Sequence, residues 1–277
     1  MDLLVQAVVM GIVQGLTEFL PVSSSGHLIV VPWLVGWNDA FITSLEFSVM
    51  LHLGTLVALL AYFRADWLRI VPAGVATLRD RSFGDDPDRR LAWLIAVATV
   101  PALIAGFLLS DLAEGAFRQV GLVATTLVIG GGILWLAERS GRQSRPMAGL
   151  GFRGALGIGL AQALALVPGI SRSGISLSAG LFAGLEREAA ARFSFLMATP
   201  ITAAAGAYET LSLVRGESSV VLSIGPLLAG MAASLMAGFV AIAVLLRFLR
   251  THRTDVFVAY RVVLAAVVLV FWLGLSR

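Results

Sequence analysis

The chain has 277 residues, of which 58% are hydrophobic and 13% are charged, and its mean hydropathy is +0.91. A soluble domain cannot carry so much apolar residue because its surface must face water, so the composition predicts an integral membrane protein. The 20 basic residues are all arginine and most lie between apolar runs, which is typical of membrane topology and argues against nucleic-acid binding. The lack of cysteine excludes disulfides and thiolate metal sites.

The apolar runs predict six membrane-spanning helices, because a helix of about 20 apolar residues covers roughly 30 Å of hydrocarbon. The runs occupy residues 45–63, 91–110, 119–137, 193–214, 220–246 and 256–276. Arginine-rich segments at 64–90, 139–153 and 247–253 are predicted to lie in the cytoplasm, the first of them as a solvated loop. The connections 111–118 and 215–219 and the C-terminus are predicted to lie outside.

Two further apolar stretches begin and end on the same side of the membrane in this topology. Residues 1–40 are interrupted by PVSSSGH at 21–27, and residues 154–185 are interrupted by PGISRSG at 168–174. Non-helical backbone at membrane depth is tolerated where it is buried in protein or lines a cavity. Each stretch is therefore predicted to form a re-entrant helical hairpin with its polar sequence at the tip. This gives ten helical segments in all and places both termini outside.

The two hairpins belong to an internal repeat. GIVQGLTEFLPVSSSG (11–26) and GLAQALALVPGISRSG (159–174) share a G-x-x-Q, a proline and a serine-rich turn that ends in glycine. EFSVML (46–51) and RFSFLM (192–197) match at nearly the same separation. We expect one all-α membrane domain over residues 1–277, built from an inverted-topology repeat of approximately 1–140 and 150–277. In such repeats the polar tips lie together near the bilayer midplane.

The two tips carry the candidate site. A half-helix that begins at each turn directs its free N–H groups and the positive end of its dipole towards the turn, which favours an anion. The polar side chains there are Glu18, Ser23, Ser24, Ser25, His27, Ser171, Arg172 and Ser173, with Gln14 one turn before Glu18. An arginine at membrane depth indicates a functional site, and its planar fork suits phosphate oxygens. The alternatives are close helix packing for the serines and a structural ion pair between Arg172 and Glu18.

QGLTEFLPVSSSGH and PGISRSG together resemble the undecaprenyl-diphosphatase family, membrane enzymes linked to bacitracin resistance. The resemblance covers the whole chain, through FSFLMATP (193–200) and the late YR pair at 260–261. It implies an inverted-repeat bundle with re-entrant helices. It also implies hydrolysis of undecaprenyl (C55 polyprenyl) diphosphate to the monophosphate and inorganic phosphate, which recycles the lipid carrier for cell-wall synthesis. The implied location is the bacterial inner membrane, with the site facing the outer side.

The resemblance also implies roles for the residues at the tips. The acidic motif maps onto Gln14 and Glu18, the serine–histidine part onto Ser24, Ser25 and His27, and the second motif onto Ser171, Arg172 and Ser173. We expect Ser24 as the nucleophile, His27 as its base, Glu18 as the residue that orients His27 or a metal-bound water, and Arg172 as the phosphate clamp. Gln14, Ser25, Ser171 and Ser173 are expected to bind the substrate. In the competing mechanism Glu18 or His27 activates water directly and Ser24 only donates a hydrogen bond.

Two positions depart from the family pattern. Gln14 stands where the family often has glutamate. Ser48 stands where many members have a further glutamate, and Glu46 lies two residues earlier, on the opposite helix face. Glu46 and His52 are six residues apart and are expected to serve packing or an interface. The missing carboxylate weakens a metal site held by protein ligands, so a divalent cation (Mg²⁺ or Ca²⁺), with Glu18 as its ligand, is an open expectation.

The expected partners are the polyprenyl diphosphate, membrane lipids and, in a homodimer, a second copy of the chain, but not nucleic acid. The alternative function is a polyprenyl-phosphate flippase or transporter without hydrolysis, because inverted repeats with polar sites at the midplane also serve alternating access. A phosphatidic-acid-type phosphatase is disfavoured because SRSGISLSAG (171–180) contains no second histidine.

Overall fold

The computed structural model describes residues 1–109, 119–215 and 223–275. These residues form eleven α-helices, which confirms the all-α prediction. In chain order the helices are α1 (Leu3–Phe19), α2 (Ser24–Val35), α3 (Leu45–Tyr62), α4 (Arg64–Asp80), α5 (Pro87–Leu108), α6 (Val120–Ser140), α7 (Phe152–Ala163), α8 (Arg172–Phe182), α9 (Arg187–Val214), α10 (Ile224–Leu249) and α11 (Asp255–Leu275). The connection predicted at 111–118, and all but the first residue of the one predicted at 215–219, are not among the described residues.

Five of the described helices are long and apolar enough to cross a membrane. They are Leu45–Tyr62, Pro87–Leu108, Val120–Ser140, Ile224–Leu249 and Asp255–Gly274, and each coincides with a predicted span. The sixth predicted span, 193–214, lies within α9, where alanines, threonines and Glu209 lower the hydropathy, and it is not among the five. Large apolar side chains such as Phe107 and Val270 face outwards, as lipid contact requires. The chain is a multi-pass membrane protein.

The prediction of a solvated loop over 64–90 is wrong. Residues 64–80 form α4, so the described part of the chain has one helix more than the ten predicted segments. Its buried positions are Asp66, Ile70, Ala73 and Thr77, which recur at helical spacing, and the arginines between them obscured this pattern in the sequence. Leu68, Val71, Val75 and Leu78 form an exposed apolar stripe on α4. Such an amphipathic helix is suited to lie along a membrane surface.

Two short helices pack very closely on long ones through the first glycine of each repeat motif. α1 packs along α10, and α7 packs along α5. A Cβ at Gly11 would lie 2.1 Å from the Gly230 carbonyl oxygen, and one at Gly159 would lie 2.3 Å from the Ala98 carbonyl oxygen. Only glycine permits these approaches, which small residues commonly provide between membrane helices. In the predicted division α10 and α5 belong to opposite halves, so each motif glycine packs on a helix of the other half; the repeat and its orientation across the bilayer stay predictions.

The largest buried apolar cluster lies beside the C-terminal end of α1. Phe19 packs edge-on against Phe195 with ring centroids 5.3 Å apart, and Phe63 lies against the same ring at 6.4 Å. Each of these phenylalanines is at most 2% exposed, and burial of such a side chain contributes about 1.5–3 kcal/mol. Since Phe19 is adjacent to Glu18, this packing fixes where the Glu18 carboxylate lies.

Candidate active site

The two polar turns have the same backbone conformation. Ser23 and Ser171 both have φ of 75°, the left-handed region that side chains other than glycine rarely adopt. Each is the N-cap of the following helix: Ser23 Oγ accepts from the Gly26 amide (3.3 Å), and Ser171 Oγ accepts from the Gly174 amide (3.1 Å). The caps offset part of the about 1–3 kcal/mol that such a sparsely populated backbone conformation costs. The serine of each motif therefore holds its turn.

The two turns contact each other, as the sequence predicts. Ser23 Oγ also accepts from the Gly169 amide at 3.0 Å, and Ser173 Oγ donates to the Leu20 carbonyl at 3.0 Å. Each tip therefore provides a side chain that binds the backbone of the other. Two helix N-termini, those of α2 and α8, consequently lie at the same junction, where their free amides favour an anion.

Arg261 of α11 joins the two tips from a third element. Its side chain is fully buried and donates to the carbonyls of Gly169 (2.6 Å) and Ile170 (2.9 Å) in the second tip and Pro21 (3.4 Å) in the first. Its Nε donates to the Leu127 carbonyl of α6 at 3.0 Å. The sequence indicated this residue only through the YR pair of the family resemblance. Its partners lie 91 to 240 positions away along the chain, so local sequence carries no signal of this role.

Glu18 is the centre of the site. Its side chain is 3% exposed. Oε2 accepts from Gln14 Nε2 at 2.9 Å and from Ser24 Oγ at 2.6 Å. Oε1 pairs with Arg172 Nη2. The predicted residues Gln14, Ser24 and Arg172 therefore all contact the carboxylate of Glu18. The ion pair between Arg172 and Glu18, which the sequence analysis gave as the alternative for Arg172, is formed.

Arg172 bridges the two halves of the chain. It is the first residue of α8, and its second terminal nitrogen, Nη1, donates to Thr202 Oγ1 of α9 at 2.6 Å. Its side chain is 21% exposed, whereas that of Glu18 is 3% exposed. Together with Arg261, it gives the described site two guanidinium cations against the one Glu18 carboxylate. This balance suits an anionic ligand.

His27 forms no hydrogen bond with Ser24, so the expected pairing of these two residues as base and nucleophile is not formed in this structure. His27 Nδ1 lies 2.7 Å from the Ser23 carbonyl, and Nε2 lies 2.8 Å from the Tyr260 hydroxyl. A carbonyl only accepts, so Nδ1 carries the proton and Nε2 accepts from Tyr260. The physical reason is that both ring nitrogens of His27 have other partners, the Ser23 carbonyl and the hydroxyl of Tyr260, which lies 233 residues away. Neither nitrogen is left to accept from Ser24, although Ser24 lies one turn away on the same helix.

The structure adds His52, which the sequence indicated only for packing or an interface. His52 Nε2 lies 3.3 Å from Glu18 Oε2, and Nδ1 lies 2.7 Å from the Ser48 carbonyl. The two remaining predicted serines, Ser25 and Ser171, form no hydrogen bond with the carboxylate. Each bonds the serine two positions away, Ser25 to Ser23 at 3.4 Å and Ser171 to Ser173 at 3.2 Å. Glu46 lies in the first turn of α3.

The described site does not fit a cation held by protein ligands. No group of three or more histidine, aspartate or glutamate side chains with metal-binding geometry occurs in the described ranges. Glu18, the ligand expected from the sequence, has Oε1 paired with a guanidinium and Oε2 bonded to an amide and a hydroxyl. Such a donor set satisfies a carboxylate and leaves it poorly placed to ligate Mg²⁺ or Ca²⁺.

Comparison with known proteins gives a match over nearly the whole chain. The family model described as bacitracin resistance protein BacA matches residues 7–267. The undecaprenyl-diphosphatase of Desulforudis audaxviator is 46% identical over 96% of this chain and 96% of the relative. That of Thermomicrobium roseum is 46% identical over 95% and 96%, and that of Idiomarina loihiensis is 43% identical over 96% and 98%.

Proposed function

We infer the function from one premise: the chain belongs to the bacitracin resistance protein BacA family. We propose that it hydrolyses undecaprenyl diphosphate to undecaprenyl monophosphate and inorganic phosphate, as the names of its relatives indicate. The observation that carries the proposal is the contact of Ser24 with Glu18, whose other oxygen pairs with Arg172. A nucleophile, a base and a phosphate ligand thus lie at one junction.

The site is suited to the diphosphate in charge and in geometry. We expect the terminal phosphate to bind beside Arg172 and the first amides of α2 and α8, which have no acceptor within their own helices. Arg172 offers a planar pair of donors that matches two phosphate oxygens. On binding, its contact with Thr202 is the one that the phosphate most readily replaces, because the pairing with Glu18 involves two opposite charges.

The first chemical step follows from the shortest contact of Ser24. Ser24 Oγ attacks the terminal phosphorus while its proton passes to Glu18 Oε2, 2.6 Å away. The bond from this phosphorus to the bridging oxygen breaks, and the bridging oxygen leaves on the lipid monophosphate. Arg172 and the helix amides stabilise the charge on the transferring phosphoryl group. Glu18 therefore takes the role of base that the sequence gave to His27.

Water completes the reaction. It attacks the phosphoryl group on Ser24, and the bond from phosphorus to Oγ breaks. Glu18 returns its proton to Oγ, and the proton lost by the attacking water leaves with inorganic phosphate or passes to solvent, so that both Ser24 and Glu18 are regenerated. In the competing mechanism Glu18 takes a proton from water directly, and Ser24 only donates a hydrogen bond. The covalent route is the one proposed here because the hydroxyl of Ser24 already donates to the carboxylate.

Gln14 and His52 position Glu18. Gln14 Nε2 donates to Oε2. His52 Nδ1 must carry a proton because its partner is the Ser48 carbonyl. Nε2 of His52 lies 3.3 Å from Glu18 Oε2, and it donates to this oxygen when the imidazole carries a second proton, which leaves Glu18 ionised and able to receive the proton of Ser24.

His27 braces the first tip in this scheme. Both its Nδ1 and its backbone amide, at 2.7 and 3.1 Å, donate to the carbonyl of Ser23. Ser23 is the left-handed residue that immediately precedes Ser24, so these bonds hold the turn that directs Ser24 towards Glu18.

The remaining expectations concern the surroundings of the site. A divalent cation that takes part would bind through the diphosphate oxygens and not to a preformed protein cage, and no step above runs through it. The inner-membrane location, the opening of the site to the outer side and a homodimer stay predictions. No feature of the described residues favours the transport alternative.

Phosphate release by the purified full chain tests the proposal. With polyprenyl diphosphate in detergent, the wild type should release phosphate, and both Arg172→Ala and Arg172→Lys should lose most activity. Lysine is a point charge that cannot contact two oxygens in one plane, and the loss of such a contact weakens transition-state binding by about 2–4 kcal/mol. A wild type that binds the lipid and releases no phosphate would refute hydrolysis, and near wild-type turnover by Arg172→Lys would refute the clamp.

A further inference from the structure

A polar cavity that contains no residue of the two tips lies at the ends of three helices. Its volume is about 430 Å³. It is lined by the last residue of α3, the first two turns of α9 and the last turn of α10, including Tyr62, Glu188, Arg192, Leu246, Arg247 and Arg250. None of these residues takes part in the site described above.

The cavity has an excess of positive charge. Arg250 forms two bonds with Glu188, at 2.8 and 2.9 Å, and Arg192 bonds Asp66 of α4 at 2.6 Å. Arg247 has no hydrogen bond or ion pair with any described residue. Three guanidinium groups therefore line the cavity with a single carboxylate, and one of them has all its donors available for a ligand.

The position of the cavity is at a membrane–water interface. Tyr62 ends the apolar helix Leu45–Tyr62, and Arg247 lies two residues before the end of the apolar helix Ile224–Leu249. The amphipathic helix α4, which carries an exposed apolar stripe, begins at Arg64, directly after α3. The ends of two membrane spans and a surface helix thus place these arginines at the depth of lipid head groups.

An apolar surface continues from the cavity along α10. The ring of Phe239 contacts that of Tyr62 with centroids 5.5 Å apart. Val240 and Val244, on the same helix, are 56% and 58% exposed. A ligand in the cavity would therefore have cations at one end and an open apolar face beside it, which matches the two parts of a phospholipid. Free phosphate would use the cations alone.

We propose that this cavity binds the phosphate group of an anionic phospholipid, with Arg247 as its principal ligand and the acyl chains along Phe239, Val240 and Val244. The net positive lining selects a lipid with negative charge over a zwitterionic one. The guanidinium fork of Arg247 supplies paired donors for the phosphate oxygens. The proposal does not depend on the chemistry at Ser24.

Native mass spectrometry of the full chain in detergent tests this site. The probes are phosphatidylglycerol, phosphatidylcholine with the same acyl chains, and inorganic phosphate. The wild type should bind phosphatidylglycerol more tightly than phosphatidylcholine, and inorganic phosphate should not displace it. Arg247→Gln should weaken binding of phosphatidylglycerol by about five- to tenfold, since one interfacial arginine contributes about that much. Arg142→Gln is the matched control, because Arg142 is also exposed and lies in the connection after α6.

Each contrary result overturns a part of the proposal. Equal weakening by Arg247→Gln and Arg142→Gln, or none by either, would show that lipid is attracted by surface charge without a site. Displacement of phosphatidylglycerol by an equal concentration of inorganic phosphate would show a phosphate site and not a lipid site. Both variants should release phosphate from polyprenyl diphosphate at the wild-type rate, which verifies that they are folded.

Discussion

Ser24 and Ser25 are neighbours in one helical turn, but only Ser24 contacts the Glu18 carboxylate. Under the covalent mechanism Ser24→Ala should lose activity by several orders of magnitude, because it lacks the attacking oxygen. Ser25→Ala is the matched control and should lose at most about tenfold, the value of one weak hydrogen bond. Single-turnover phosphate release measures both. Turnover by Ser24→Ala within about tenfold of wild type would leave the attack to water.

His27 offers a second test at the scale of single residues, because bracing and base catalysis require different atoms. An asparagine side chain can donate to the Ser23 carbonyl as Nδ1 does, but it cannot accept a proton at neutral pH. His27→Asn should therefore retain activity within about tenfold of wild type, whereas His27→Phe, which cannot donate, should lose more. Steady-state phosphate release compares them. Equal loss of several orders of magnitude in both variants would restore His27 as the base.

A similar pair of substitutions distinguishes two roles for His52, positioning of Glu18 and transfer of a proton. Glutamine at this position keeps a donor near Glu18 Oε2 and does not titrate. We expect His52→Gln to stay within about tenfold of wild type at neutral pH, and His52→Leu to lose about ten- to a hundredfold. If His52→Gln is as impaired as His52→Leu, His52 carries the proton itself.

The residues of the site differ in how far the sequence could predict them. Glu18, Ser24 and Arg172 were predicted because each lies in or beside a polar turn that interrupts an apolar run, where a charged side chain is costly unless it serves a site. His52, Tyr260 and Arg261 lie inside regular apolar helices, and only the tertiary fold brings them to the tips. The partners of His27 could not be predicted for the same reason, since Tyr260 competes with Ser24 from the far end of the chain.

At the scale of helices, apolar runs predicted the long spans well and surface helices poorly. The runs behind α3, α5, α6, α10 and α11 have no competing structure, because uninterrupted apolar sequence of that length must form helix in a membrane. The buried positions of α4 alternate with arginines and aspartates. These charges favoured the prediction of a solvated loop over the helical spacing of the buried positions. Its buried face packs mainly on α5, and Asp66 on that face bonds Arg192 of α9; the local sequence contains no sign of either partner.

The repeat glycines give a prediction at this scale. In Gly159→Ala the new methyl group would lie 2.3 Å from the Ala98 carbonyl oxygen, so α7 and α5 must move apart. We expect a loss of about 1–3 kcal/mol in stability, measured as a lower unfolding temperature in detergent. Gly157→Ala, on the exposed face of the same helix with no atom within 4 Å of the new carbon, should be neutral or slightly stabilising. Equal effects of the two substitutions would refute a close approach at Gly159.

At the scale of the whole molecule, the turns before α2 and α8 have the same backbone conformation, and α1 and α7 each pack on a helix of the other predicted half. A two-fold related repeat predicts both features. Whether the halves cross the membrane in opposite directions is the part of the fold that depends on the arginine distribution. The chain has no cysteine, so a single introduced thiol reports one position without background. The predicted topology puts Ser82, between α4 and α5, in the cytoplasm and Asn38, between α2 and α3, outside; both are exposed.

An impermeant thiol reagent added to intact cells should therefore label Asn38→Cys and not Ser82→Cys, and lysis should expose the second. This result has a physical cause in the arginines of 79–90 on both sides of Ser82, which cannot be translocated cheaply, whereas 36–44 contains the single charge of Asp39. It would also mean that the first hairpin enters the membrane from the outer side and returns to that side. Labelling of both cysteines in intact cells would mean that α3 does not cross the membrane, and the inverted arrangement of the repeats would have to be abandoned.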